Sequence, residues 1–126
     1  MAPIRWYVAV LVFRAEAGSV WDADRLTERQ VRLLRASSPD EAYERALALG
    51  KNGEHSYSNA SGEDVRWSFA GLAELDELMA SEPVDGVEII SSFSTSDPEV
   101  LIRARDDLAV FWSQRNANTQ ARDLLE

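Results

Sequence analysis

The chain contains no cysteine, a single histidine and, in Lys51, a single lysine. Without cysteine there is no disulfide framework, no thiol nucleophile and no thiolate zinc site. His55 would have to be the base of any histidine-dependent dyad or triad, and one imidazole leaves too few nitrogen ligands for a transition-metal centre. Long apolar runs are missing too. The best, from Trp6 to Phe13, falls well short of the roughly 20 residues a membrane helix needs, and its start is thin in the basic residues of an export signal. The six glycines are scattered as turn punctuation, with neither a G-x-G-x-x-G run nor a lysine-bearing phosphate loop. A G-x-S-x-G nucleophile elbow is also lacking.

What is there is an acidic chain. Twenty-two carboxylates against 13 bases give a formal charge of −9, in 126 residues that are 45% apolar and 28% charged. Such a surface repels nucleic-acid phosphates and suits a basic protein partner. The length fits one domain spanning 1–126, with 115–126 as a frayed or partner-docking tail. Arginine supplies every base but Lys51, a bias typical of a GC-rich genome, and the expected setting is the bacterial cytoplasm.

Periodicity places the elements. From Arg5 to Arg14 both alternating faces are apolar, with Trp6, Val8, Val10 and Val12 on one and Tyr7, Ala9, Leu11 and Phe13 on the other. That pattern marks a central strand covered on both sides. The polar connection that follows carries Trp21 and the pair Asp22 and Asp24. Thr27 and Leu33 stand where a calcium loop needs glycine and glutamate, which rules that loop out. "RQVRLLRAS" reads as a second strand, with Val31 and Leu33 on one face and Arg32 on the other. In "SSPDEAYERALALGKNG", Ser38 can cap, Pro39 fits the first helical position and Glu41 completes a capping box. Tyr43, Ala46 and Leu47 form its expected stripe, and Gly50 its stop.

Further along, "HSYSN" reads as a short strand, "ASGED" as a turn and "VRWSFAGL" as the returning strand, with Val65, Trp67 and Phe69 facing the core. The run "AELDELMASEPVDG" suits either a helical turn through Leu72, Leu75 and Met79 or a longer strand. "VEIISSFS" is expected to be a fifth strand. A last helix is expected from Asp97 and Pro98, with a stripe of Leu101, Ala104, Leu108, Phe111 and Trp112 and an outer Arg103–Asp107 pair. The expectation is an α+β fold in the order β-β-α-β-β-β-α, an antiparallel sheet of about five strands with helices packed on it.

Taken in order, "RWYVAVLVFR", "SSPDEAYERALALG", "EHSYSN", "GEDVRWSFAGL" and "DGVEIISSF" resemble a family of small bacterial proteins known as a domain of unknown function. Its members open with a Trp-Tyr strand and carry a Gly-Glu-x-Val-x-Trp-x-Phe strand. The resemblance covers about residues 6 to 93. It implies one small domain and brings no activity, cofactor or catalytic residue.

The candidate binding residues are His55, Tyr57, Asn59 and Glu63. On a strand, His55, Tyr57 and Asn59 point one way and Ser56 the other, so Ser56 is poorly placed as a nucleophile for His55. The alternative for Tyr57 is a core pair with Trp67. Glu74 and Asp76 are the only hint of two-carboxylate chemistry. Trp6, Tyr7 and Trp67 could line a small-ligand cavity. The reading that best fits is a non-catalytic binding or protein-interaction module, with self-association through the open edge of "HSYSN" as one form of it. A small carboxylate- and His55-dependent enzyme and an acidic inhibitor or immunity-type protein are the alternatives. No metal, cofactor, nucleic acid or membrane is expected.

Overall fold

The computed structural model describes residues 3–17 and 26–112. The connection holding Trp21, Asp22 and Asp24 and the 115–126 tail lie outside the described residues. Four strands form one antiparallel sheet: β1 (Arg5–Ala17), β2 (Thr27–Ala36), β3 (His55–Ser58) and β4 (Asp64–Glu77), in the order β2-β1-β4-β3. Helix α1 (Pro39–Asn52) packs across it.

β1 is central, as its doubly apolar pattern requires. Tyr7, Ala9, Leu11, Phe13 and Ala15 meet α1 in the main core, together with Leu34, Ala36, Ala42, Ala46, Val65 and Trp67. On the opposite face Val8 and Val10 are buried as well, and Leu78, whose amide donates to the Trp6 carbonyl at 2.8 Å, is enclosed just beyond β4.

The start of α1 follows the capping logic. The Ser38 hydroxyl accepts from the Glu41 amide at 3.1 Å, and Pro39 opens the helix. Glu41 reaches back one residue further than a capping box prescribes, bonding the Ser37 hydroxyl at 2.7 Å and its amide at 3.3 Å. The buried stripe is Ala42, Ala46 and Gly50: Ala46 is buried as expected, Leu47 is partly exposed and Tyr43 faces solvent, its place in the core taken by Ala42. Gly50 does not stop the helix, which runs on to Asn52 with Gly53 as its cap. The helix sits so low on the sheet that only small side chains fit beneath it.

The ambiguous run from Ala73 is strand only to Glu77, where β4 ends, and is neither strand nor helix from Leu78 to Gly86. Val65, Trp67 and Phe69 alternate normally, but Leu72 and Leu75 each follow after three residues. Register shifts opposite Val12/Phe13 and Val10/Leu11 absorb the extra residues Ala70 and Ala73, so both leucines return to the core face. Gly71, at φ +149°, supplies the backbone conformation that this double bulge needs.

Three expectations are corrected. Among the described residues the sheet has four strands, not five: 87–94 forms no regular element and joins none of the four. Beyond Trp67, the outer edge of β4 is bent by the two bulges, and its Phe69 amide is taken by the Glu54 carboxylate at 2.9 Å, which leaves no straight ladder to extend. The last helix breaks into α2 (Pro98–Leu101), a 3₁₀ turn (Arg105–Asp107) and α3 (Ala109–Trp112). Ile102, Ala104 and Leu108 are extended, α2 and the 3₁₀ turn bury no side chain, and the ion pair formed is Arg105–Asp106 at 2.8 Å. A helix whose apolar stripe meets no sheet has little to hold it in water. In β2, finally, Val31 and Leu33 do share a face, but the buried residues are Leu34 and Ala36.

Candidate interaction surface

β3 lies at one margin of the sheet, paired with β4 through His55 opposite Trp67 and Tyr57 opposite Val65. His55 and Tyr57 share a face, with ring centroids 6.0 Å apart and planes within 20°. The His55 ring is exposed, and its Nδ1 lies 3.0 Å from the Gly53 carbonyl. Tyr57 is half-buried against the core, where the Trp67 indole N–H donates to its hydroxyl at 3.5 Å. Trp67 itself is a core residue.

Asn59 does not continue this face. It organises the β3–β4 turn: its Oδ1 accepts from the amides of Ser61 at 3.0 Å and Glu63 at 2.9 Å, while its own amide donates to the Glu63 carbonyl at 2.8 Å. Gly62, at φ +80°, provides the left-handed residue that the turn requires. Glu63 thus meets Asn59 through its backbone and leaves its side chain exposed. Of the four candidate residues, the structure brings the rings of His55 and Tyr57 together and spends Asn59 on the loop.

A polar cluster that sequence reasoning missed sits at the other end of the sheet. Arg5 Nη2 pairs with Glu77 Oε2 at 3.2 Å, and its Nε is enclosed without a hydrogen-bond partner. Tyr7 stands opposite Glu77 across β1 and β4. Burial first, then the negative charge and hydrogen bond of Glu77, holds the Tyr7 phenol above its usual range, against a smaller opposing effect of Arg5. The signal was present in the alternation that makes Tyr7 and Glu77 neighbours. Trp6 lies on the opposite face, 5.4 Å beneath the Arg35 guanidinium. One cavity lined by Trp6, Tyr7 and Trp67 is therefore ruled out, because β1 separates the first from the other two.

Glu74 and Asp76 stand opposite Val10 and Val8, on the sheet face away from α1. Asp76, Glu77 and Glu88, with Met79, Ile89 and Ile90, line an open groove of about 270 Å³. Among the described residues no cluster of three or more histidine or carboxylate side chains is arranged to hold a metal ion, and no helix is long and apolar enough to cross a membrane.

The chain after Leu78 is the least expected surface. Met79 is 92% exposed, Phe93 fully exposed, and Val84, Val100, Leu101, Ile102 and Val110 are all largely in solvent. Arg103 and Arg105 are the only bases between Met79 and Trp112, and acids outnumber them.

Residues 6–91 match the model of the family described as domain of unknown function DUF4288, and the chain belongs to that family. No curated protein and no solved structure matches it.

Proposed function

We propose that this DUF4288 member is a protein-interaction module of the bacterial cytoplasm, not an enzyme, and that the chain following β4 is what it presents to its partner. One observation carries the reading: from Met79 to Val110 large apolar side chains recur at short intervals and are spent on no core. Single exposed apolar residues are ordinary, whereas a run of them marks a surface that something else covers. The carboxylates interleaved with them favour a partner with an apolar groove and a basic rim, since opposite charge steers encounter while apolar burial holds the complex. An inhibitor-like masking role fits the same chemistry.

The test is site-specific photocrosslinking in the source cells, with the reactive group at the fully exposed Phe93. The expected result is one dominant crosslinked protein, lost in a variant carrying Val100→Ser, Leu101→Ser and Ile102→Ser, with a binding rate that falls as salt is raised. Crosslinks spread over abundant proteins in proportion to their concentration would overturn the reading. An undiminished crosslink in the triple variant would do the same.

A further inference from the structure

The outer edge of β2 is built to meet a copy of itself. It lies at the margin of the sheet opposite β3. Its ten residues hold an unbroken register with β1 from Arg5–Ala36 to Arg14–Thr27, with no bulge and no proline. That is long for an edge, where natural sheets use short strands, proline or bulges to prevent pairing. Arg45 covers the Arg35 carbonyl at one end. Among the described residues nothing else bonds the strand's outer backbone.

Charge on an edge normally blocks association, and β2 carries Arg29, Arg32 and Arg35. Their arrangement has the opposite effect in one register. Glu28, Gln30 and Arg32 form a ladder along one face, with Gln30 Nε2 donating to Glu28 at 2.8 Å and Arg32 Nη1 donating to Gln30 Oε1 at 2.9 Å. Read antiparallel, Glu-Gln-Arg meets Arg-Gln-Glu. A twofold axis normal to the sheet and passing through Gln30 keeps matching faces together and sets Glu28 against the partner's Arg32, twice over. A centre at Arg32 would oppose that arginine with itself, and a centre at Val31 would set Glu28 against the partner's Leu34. In the Gln30 register the half-exposed Val31 and Leu33 cover the partner's Arg29 stem and the partner's Thr27, which reduces the apolar surface left in water.

We infer that β2 is the interface of a twofold homodimer, in which 27–33 of two copies pair antiparallel about Gln30 to continue the sheet. β2 carries three arginines against Glu28, so two copies repel there unless each Glu28 meets an arginine, as the Gln30 register arranges. This inference rests on β2 alone and is independent of the partner proposed for the chain after Leu78.

The experiment is sedimentation equilibrium on the full chain, comparing wild type, Glu28→Arg, Arg32→Glu and the double exchange. All these side chains are exposed, and circular dichroism with the thermal midpoint confirms the fold of each variant. The wild type is expected to dimerise reversibly. Each single reversal should raise the dissociation constant at least about tenfold, and the double exchange should return it to within about threefold of wild type. Amide exchange across Arg29 to Leu33 should slow as protein concentration rises. A wild-type chain that stays monomeric at several hundred micromolar overturns the inference, as does a dimer indifferent to both reversals.

Discussion

The ring of Phe69 lies on the backbone of Gly50, so close that a β-carbon at residue 50 would overlap it. Gly53, one turn on, is approached in the same way by Phe13, and the two rings meet at 5.6 Å. The end of helix α1 therefore settles onto the sheet through two glycines, Gly50 against Phe69 of β4 and the capping Gly53 against Phe13 of β1. A glycine within a helix costs about 1 kcal/mol relative to alanine, so its presence needs a packing reason, and Phe69 is that reason.

Gly50→Ala should accordingly destabilise the chain, although alanine is the better helix former. The overpacking cost of roughly 1–3 kcal/mol exceeds the helical gain of about 0.5–1 kcal/mol. Urea denaturation should show a lower midpoint at unchanged slope. Adding Phe69→Leu should recover part of the loss, because the smaller side chain clears residue 50. A Gly50→Ala chain as stable as wild type would mean that Phe69 moves aside at no cost.

The same contact shows what the sequence could and could not disclose. β1 and the Val65-Trp67-Phe69 alternation are readable because each uses a period of two, and the cap at Ser38-Pro39-Glu41 because it is local. In the stripe of α1, Ala46 is readable but Ala42 is not, since the choice between Tyr43 and Ala42 depends on how closely the helix approaches the sheet. The spacing of Leu72 and Leu75 fits a helix and a doubly bulged strand equally well, and only pairing with β1 decides between them. Apolar patterning after Leu78 pointed to a strand and a helix, but patterning does not specify the surface that would cover them. For the candidate surface, His55 and Tyr57 were readable as neighbours on an edge. Asn59 was not, because its role is set by a turn that closes four residues later.

Glu54 should prove structural through its carboxylate. It accepts the Phe69 amide at 2.9 Å in a partly buried setting, just past the point where β3 stops pairing with β4. Glu54→Ala should cost about 1–3 kcal/mol by leaving the donor unsatisfied, and Glu54→Gln, which keeps an acceptor, distinctly less. Thermal unfolding of the two variants separates these outcomes. Equal losses would assign the cost to the charge instead of the hydrogen bond.

In the β3–β4 hairpin, Asn59 and His55 should behave in opposite ways. Asn59→Ala removes the acceptor of two turn amides and should cost about 1–2 kcal/mol, with Asn59→Asp largely tolerated. His55→Ala touches an exposed ring and should stay within about 0.5 kcal/mol of wild type. Denaturant midpoints for the three variants test this directly. A large loss for His55→Ala would show that its contacts with Tyr57 and the Gly53 carbonyl support the edge.

The pairing of Tyr7 with Glu77 gives the fold an alkaline limit. Burial and the neighbouring carboxylate raise the phenol above its ordinary value of 10.0, so around and above that pH the folded chain holds a proton that the unfolded chain releases. The sign follows: this contribution to stability is complete below pH 10 and is lost as the pH climbs through the raised folded value. Tyr7→Phe removes the titrating group along with its interaction with Glu77. The variant should be less stable than wild type near neutral pH and lose less stability between about pH 9 and 11, so the two curves converge. Urea midpoints across that range measure it. Parallel curves would place the alkaline sensitivity on other groups and give Tyr7 no part in it.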